Sequence, residues 1–379
     1  IINIARESIM KKFTVLCVAG TRPEAIKMAP VIKSLKGVSE LNVSVLTTAQ
    51  HRGLLDQVFT LFDIQCDYDL DVMTQNQTLP ELTAKLMTGI DSVLDNVKPD
   101  LIVAQGDTTT VFVTSLAAFY RRIPFAHVEA GLRTNNLYSP FPEEANRVLT
   151  GHLSALHFAP TQTARENLLK EGIGDENIHV CGNTVIDALL ETANLDTPLE
   201  MAIPDDARVI LVTSHRRENF GQALDNICHA ILKLSEKYPD CHIVYPVHPN
   251  PNVKETVTRL LSGKPRITLT QPLEYDKFVA VMKRAVIILS DSGGVQEAPA
   301  RRKPVLVLRR ETERLAALRC GVTRLVGTEE DDIVREASRL LDSEEEYNKM
   351  ATGESPYGDG HSSEKITAAI VDFLKAHKQ

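Results

Sequence analysis

Acidic and imidazole side chains recur just after short apolar runs, where a parallel α/β fold does its chemistry. Asp107 lies in QGDTTT (105–110) after the run 101–104, and Glu129 lies in HVEAGLRT (127–134) at the end of the run 125–128. Glu143 lies in SPFPEEANR (139–147), where two prolines lead into the first turn of an expected helix. Several carboxylates on one mouth can have split pKa values and so divide acid and base roles. Taken singly, Asp107 also reads as a helix N-cap. His215, in SHRREN (214–219), precedes two arginines, which suits a phosphate contact or proton transfer near neutral pH. His248, in YPVHPNPNV (245–253), follows another apolar run and reads either as a second functional histidine or as a hydrogen-bonded structural one.

A second set of residues suits anions. In SDSGGVQE (290–297), Ser292, Gly293 and Gly294 open a turn between a strand and a helix. There, backbone N–H groups can approach a diphosphate, and Glu297 could hold ribose hydroxyls. Arg309 and Arg314 add positive charge beyond the next strand. Near the N-terminus, GTRPEAIKMAP (20–30) carries the Thr21/Glu24 spacing of a capping box, with Pro23 in the first helical turn. Arg22 and Lys27 flank that helix start, either to attract an anion or as solvated charges. Pro30 predicts a kink. Asp67-Tyr68-Asp69 has the look of a metal-holding acid pair, but no clear strand precedes it, and we expect no metal there.

The elements that must position these residues form two series. Apolar runs at 13–19, 42–47, 101–104, 125–128, 155–159 and 179–181 alternate with amphipathic stretches. A second series comes at 208–213, 242–246, 267–269, 286–290, 304–308 and 323–326. Continuous apolar strands between helices indicate parallel sheets covered on both faces. The fold class is therefore α/β with two doubly wound, Rossmann-like domains. We place them at 11–182 and 183–360, with the crossover in the polar stretch 183–207 and a C-terminal helix in 361–379 packing back on the first domain. Ligands in such folds sit outside the carboxyl ends of the strands.

The chain has 379 residues, beyond the roughly 250–300 at which one core stops growing, so two domains are expected. A net charge of −8 argues against nucleic acid or an anionic membrane as the partner. The six cysteines are scattered without metal-site spacing and read as free thiols in a reducing, cytoplasmic compartment. No apolar run is long enough to span a bilayer. Met10 reads as a start, with residues 1–9 as an upstream extension.

Taken together, GTRPEAIKMAP, TAQHR, QGDTTT, HVEAGLRT, SPFPEEANR, CGNTVIDAL, SHRREN, YPVHPNPNV, SDSGGVQE, TRLVGT and PYGDG, in that order, resemble the non-hydrolysing UDP-N-acetylglucosamine 2-epimerases. The resemblance runs from about residue 13 to the C-terminus. It implies a glycosyltransferase-B arrangement with the active site in the interdomain cleft. It also implies reversible conversion of UDP-GlcNAc to UDP-ManNAc through a 2-acetamidoglucal, with no metal or nicotinamide cofactor. By motif, Asp107, Glu129 and Glu143 become the acid/base group, and His215 the residue assisting UDP departure. Arg22 and Lys27 would contact substrate. Ser292, Gly293, Gly294, Glu297 and Arg314 would bind UDP, with His248 nearby. A homodimer is implied, as is a product destined for surface polysaccharide.

The match departs at 296–317, where one Glu of the family pattern is missing. A one-residue deletion in a helix rotates the residues beyond it by roughly 100°, so weaker nucleotide binding is expected. Gln50 and His51 persist from an activator site found in some relatives, whereas Gly53 and Asn76 differ from its usual longer polar side chains. Two other readings stand beside this one: a hydrolysing relative that releases UDP and ManNAc, and a UDP-sugar-binding protein that has lost turnover.

Overall fold

The computed structural model describes residues 12–48, 52–74, 76–292, 303–311, 315–353 and 356–377. Gln50, His51, Gly293, Gly294, Glu297 and Arg314 lie outside them. The chain divides into two compact units, Ile1–Ala188 with Gly360–Gln379, and Leu189–Asp359.

The first unit runs β1 (Phe13–Ala19), α1 (Arg22–Lys36), β2 (Leu41–Thr47), α2 (Arg52–Leu61), β3 (Tyr68–Asp69), α3 (Leu79–Val97) and β4 (Leu101–Gln105). It continues with α4 (Thr109–Tyr120), β5 (Phe125–Val128), α5 (Glu143–Leu153), β6 (Leu156–Ala159), α6 (Gln162–Lys170) and β7 (Ile178–Val180). Helix α7 (Thr184–Ala193) comes next. The second unit runs β8 (Arg208–Thr213), α8 (Gln222–Lys237), β9 (Cys241–Pro246), α9 (Pro251–Leu261), β10 (Ile267–Thr270), α10 (Tyr275–Arg284) and β11 (Ala285–Ser290). It ends with β12 (Val305–Val307), α11 (Leu315–Arg319), β13 (Thr323–Leu325), α12 (Glu330–Asp342) and α13 (Glu344–Ala351). Helix α14 (Ser362–Ala376) returns to the first unit.

Every ladder is parallel. The seven-stranded sheet has the order β3-β2-β1-β4-β5-β6-β7, and the six-stranded sheet β10-β9-β8-β11-β12-β13. Winding therefore reverses between β1 and β4 in one sheet and between β8 and β11 in the other. These are the switch points where doubly wound folds bind ligands. Central strands are largely buried: all five residues of β4 and the last five of β8 are buried. That is why they read as apolar runs without alternation.

Local sequence fixes the helix starts that matter for the site. Thr21 and Glu24 form the expected capping box, and Thr108 caps α4 by accepting from the Val111 N–H. Each such cap contributes about 1 kcal/mol. Pro30 lies inside α1, which runs on to Lys36. Tyr68–Asp69 forms an edge strand on β2 that the apolar runs did not include. The Asp67 carboxylate accepts from the Val45 N–H at 2.8 Å, and Asp69 accepts from the Asp71 N–H at 3.1 Å.

The division between units falls inside α7 rather than at 182/183. Asp187 accepts from both the N–H and the hydroxyl of Ser363 at 2.7 Å, at the start of α14. Leu189 and Ala193 instead join the core of Val209, Leu211 and Ile288. α14 also bonds to α1 from Thr367 to Ser34 at 2.7 Å. All six cysteines are free, and only Cys320 is exposed. Among the described residues no helix is long and apolar enough to cross a membrane.

Candidate active site

In the first unit the turns after β1 and β4 are pressed together at the switch point. A Cβ on Gly20 would lie 2.5 Å from the Thr110 hydroxyl and 2.6 Å from that of Thr48, so only glycine fits. Glu24 is buried beneath these turns. Its carboxylate accepts from the Gly20 and Thr21 N–H groups at 2.7 Å each and from the Thr108 hydroxyl at 2.5 Å. Burial raises its pKa and these donors oppose the rise. Arg22 stands half-buried as the first residue of α1.

Glu129 comes directly after β5 in a left-handed conformation, φ 64°, which is unusual for a residue with a Cβ. Its oxygens are occupied. Lys27 reaches both, at 2.9 and 2.7 Å, Asn183 donates to one at 2.8 Å, and Gln105 donates to the other. Only 7% of the Glu129 side chain is exposed. Charge-assisted bonds in such a setting are short and strong.

Asp107 stands just beyond β4. It accepts from Arg147 Nε at 2.9 Å, and its own carbonyl accepts from Asn146 at 2.9 Å. Arg147 also donates to the buried Glu144 at 2.9 Å. Burial alone would lower the Arg147 pKa, but Asp107 and Glu144 outweigh it and raise it. Glu144 further accepts from the Thr134 and Asn135 N–H groups at 2.8 and 2.9 Å. Glu143 lies one helical turn before Arg147 and so shares its face of α5. It is half-buried, and its carboxylate has no hydrogen-bond or ion-pair partner among the described residues. The structure thus gathers Lys27, Gln105, Glu129 and Asn183 at one point, and Asp107, Arg147 and Glu144 at another, with Glu143 on the Arg147 face of α5 but bonded to neither group.

His127, on β5, is buried beneath Gly106. Its Nε2–H donates to the Gly106 carbonyl at 2.7 Å, while Nδ1 has no partner among the described residues. Burial pulls its pKa down to about 3. It is a neutral strut under the Asp107 turn.

In the second unit the switch point carries His215 after β8 and Ser292 after β11. A fully buried carboxylate, Asp291, joins them. It accepts from the Ser214 hydroxyl at 2.8 Å, the His215 N–H at 2.9 Å, the Arg216 N–H at 3.0 Å and the Asn219 amide at 3.0 Å. His215 stacks on His248 with ring centroids 5.4 Å apart. Burial lowers the His215 pKa, Asp291 opposes that, and His248 and Arg216 reinforce it. His248 is exposed, and its Nδ1 accepts from the Asn250 N–H at 3.2 Å. The Ser292 N–H donates to the Ser290 hydroxyl at 3.0 Å. Arg309 is bonded to Glu218 at 2.8 Å.

The sequence profile of the UDP-N-acetylglucosamine 2-epimerases matches residues 33–371. The chain belongs to the UDP-N-acetylglucosamine 2-epimerase family. It is 52% identical to the probable UDP-N-acetylglucosamine 2-epimerase of Ralstonia nicotianae, covering 96% of this chain and all of that one. It is 50% identical to the UDP-N-acetylglucosamine 2-epimerase of Escherichia coli strain K12, covering 94% of this chain and 98% of that one. The crystal structure of UDP-GlcNAc 2-epimerase from Neisseria meningitidis bound to UDP-GlcNAc superposes with a TM-score of 0.87 at 50% identity, covering 95% of this chain and all of that one.

For a member of this epimerase family, the residues that sequence reasoning missed are the partners. Gln105, Arg147, Asn183 and Asp291 all sit inside the motifs, yet their types alone did not mark them. A usable signal was present for two of them. Gln105 is a polar residue closing an apolar strand, and Asp291 is an acid between a strand and a glycine pair.

Proposed function

We propose that the chain interconverts UDP-GlcNAc and UDP-ManNAc without net hydrolysis. A carboxylate removes the proton from C2 while the C1–O bond breaks and its electron pair leaves with the diphosphate. A C1–C2 double bond forms, giving 2-acetamidoglucal and UDP. A proton then returns to the opposite face of C2 as the diphosphate oxygen rebinds C1. The reaction calls on no nicotinamide and no metal.

One observation carries this reading: three carboxylates, after β4, after β5 and at the start of α5, differ in how they are held. Glu129 has Lys27 across both oxygens and Asp107 has Arg147, whereas Glu143, on the same helix face as Arg147, is not so held. Two carboxylates tied to cations and one without such a tie suit a reaction that must both take and return a proton at one carbon. Holding sugar and UDP in place for re-addition supplies a further large share of the rate. The Neisseria meningitidis relative binds UDP-GlcNAc, which supports the same substrate here. GTRPEAIKM favours the non-hydrolysing reaction over hydrolysis.

We further propose a cytoplasmic homodimer whose product supplies surface polysaccharide. An exposed apolar group on the packed helices α4 and α5, Phe119 at 59%, Tyr120 at 67% and Leu149 at 46% exposure, supports self-association. The reaction is tested by proton NMR with UDP-GlcNAc in deuterated water. UDP-ManNAc carrying deuterium at C2 is expected. Accumulating UDP and free ManNAc would mean the hydrolase, and an unchanged spectrum with binding intact would mean lost turnover.

A further inference from the structure

One edge of the His215 imidazole faces a carboxylate that its residue type alone did not mark. Asp291 Oδ1 lies 3.6 Å from His215 Nδ1, beyond a hydrogen bond yet within ion-pair reach, and the carboxylate is completely buried. The same group takes the His215 and Arg216 N–H groups and the Ser214 hydroxyl, so the backbone of the β8 turn is fastened to it. Asn219 ties the carboxylate to the Leu308 carbonyl after β12 at 3.0 Å. Tyr245, buried in β9, donates to the Ser214 carbonyl at 3.4 Å. Three strand ends therefore fix one turn. With Nδ1 on the Asp291 side of the ring, Nε2 lies on the far side from it.

We propose that Asp291 is the positioning residue of His215: it aims Nε2 at the departing diphosphate and stabilises the proton that His215 carries there. The proposal rests on the reading that His215 assists UDP departure. As the C1–O bond breaks, its electron pair goes to the diphosphate oxygen. The Nε2 proton moves to that oxygen and leaves neutral imidazole, and the proton returns on re-addition. A buried anion beside Nδ1 favours the protonated ring. Among the described residues, the other charged or titratable groups facing the ring are His248, after β9, and Arg216, in its own turn. Both disfavour the charged ring, so Asp291 is the group that counters them.

Two substitutions move His215 in opposite directions. Asp291→Asn removes the anion, and the His215 titration should move to lower pH. Ser214→Ala removes one donor from the carboxylate, leaves its charge less neutralised, and should raise the titration. The probe is the histidine Cε1 resonance of the full-length protein, assigned with His215→Gln, alongside the pH profile of kcat for UDP-GlcNAc. The alkaline limb of kcat, where His215 loses its proton, should move down in Asp291→Asn and up in Ser214→Ala, with KM changing less than kcat. A His215 titration unmoved by either change, or a loss of rate equal at every pH, overturns the proposal. If Asp291→Asn does not fold, Ser214→Ala decides by the same criterion. A full-rate His215→Gln would instead overturn the role of His215 in UDP departure, a different failure from an unmoved titration in a protein that needs His215.

Discussion

His127 offers a quantitative check on the strut beneath Asp107. Its ring is 1% exposed, and its only hydrogen bond among the described residues runs from Nε2 to the Gly106 carbonyl. Charging Nδ1 would place a second N–H where no acceptor stands, and in a buried site that is costly. The pKa accordingly falls from 6.5 to about 3. Because the folded value lies below the unfolded one, the unfolded chain takes up the proton first. Stability is then complete above about pH 6.5 and is lost as pH falls toward 3, at about 1.4 kcal/mol per pH unit. At pH 5 the loss attributable to this one ring is about 2 kcal/mol, roughly a thirtyfold change in the unfolding equilibrium.

His127→Gln isolates that contribution, since the amide can still donate to Gly106 but cannot titrate. Urea unfolding of the first unit should show wild type losing about 2 kcal/mol more than His127→Gln between pH 7.5 and pH 5. His157, also buried with a lowered pKa, titrates in both proteins and cancels. Parallel curves for the two proteins across that range would refute the account of His127 as a buried neutral ring.

The same contacts set the outcome of three other perturbations. Gly20→Ala forces a methyl against the Thr48 and Thr110 hydroxyls and should cost about 1–3 kcal/mol by urea midpoint; adding Thr48→Ala should recover part of it. Lys27→Met takes the cation from both oxygens of the nearly buried Glu129 carboxylate, and kcat should drop about a hundredfold or more; a near-wild-type rate would remove Glu129 and its clamp from the mechanism. Phe119→Glu should convert the proposed dimer to monomer in sedimentation velocity, and an unchanged mass would place any dimer contact elsewhere.

The sequence made the strands legible because they are buried on both faces. β1 and β8 have the bounds that their apolar runs predict, 13–19 and 208–213. β3 escaped notice because it is only a half-buried Tyr68 and an exposed Asp69, whose pairing comes from the β2 backbone and not from an apolar run. The position of the unit boundary escaped too. α7 has a continuous helical pattern, and only tertiary contacts show Asp187 serving one core and Leu189 the other. Candidate acids were legible by position, since strand ends are where this fold exposes side chains. Their partners were not. Arg147 meets Asp107 from 40 residues away, and Asn183 meets Glu129 from 54, separations that only the sheet order closes.

The two switch points solve one problem in the same way. Each sets a buried acid, Glu24 in one unit and Asp291 in the other, beneath a pair of loops that must present polar side chains without moving. Burying a carboxylate costs several kcal/mol unless its lone pairs are filled. Here backbone N–H groups and hydroxyls fill them: Gly20, Thr21 and Thr108 around Glu24, and Ser214, His215 and Arg216 around Asp291. An amide could not replace either acid, because its NH2 would face a donor and leave two buried N–H groups opposed. An acid at these points therefore converts a desolvation cost into a directional anchor for several donors at once. What it anchors differs: Arg22 and the Asp107 turn in the first unit, His215 and the approach to Ser292 in the second. The fold thus supplies the anchoring at both switch points, and the residues just above each anchor determine the chemistry.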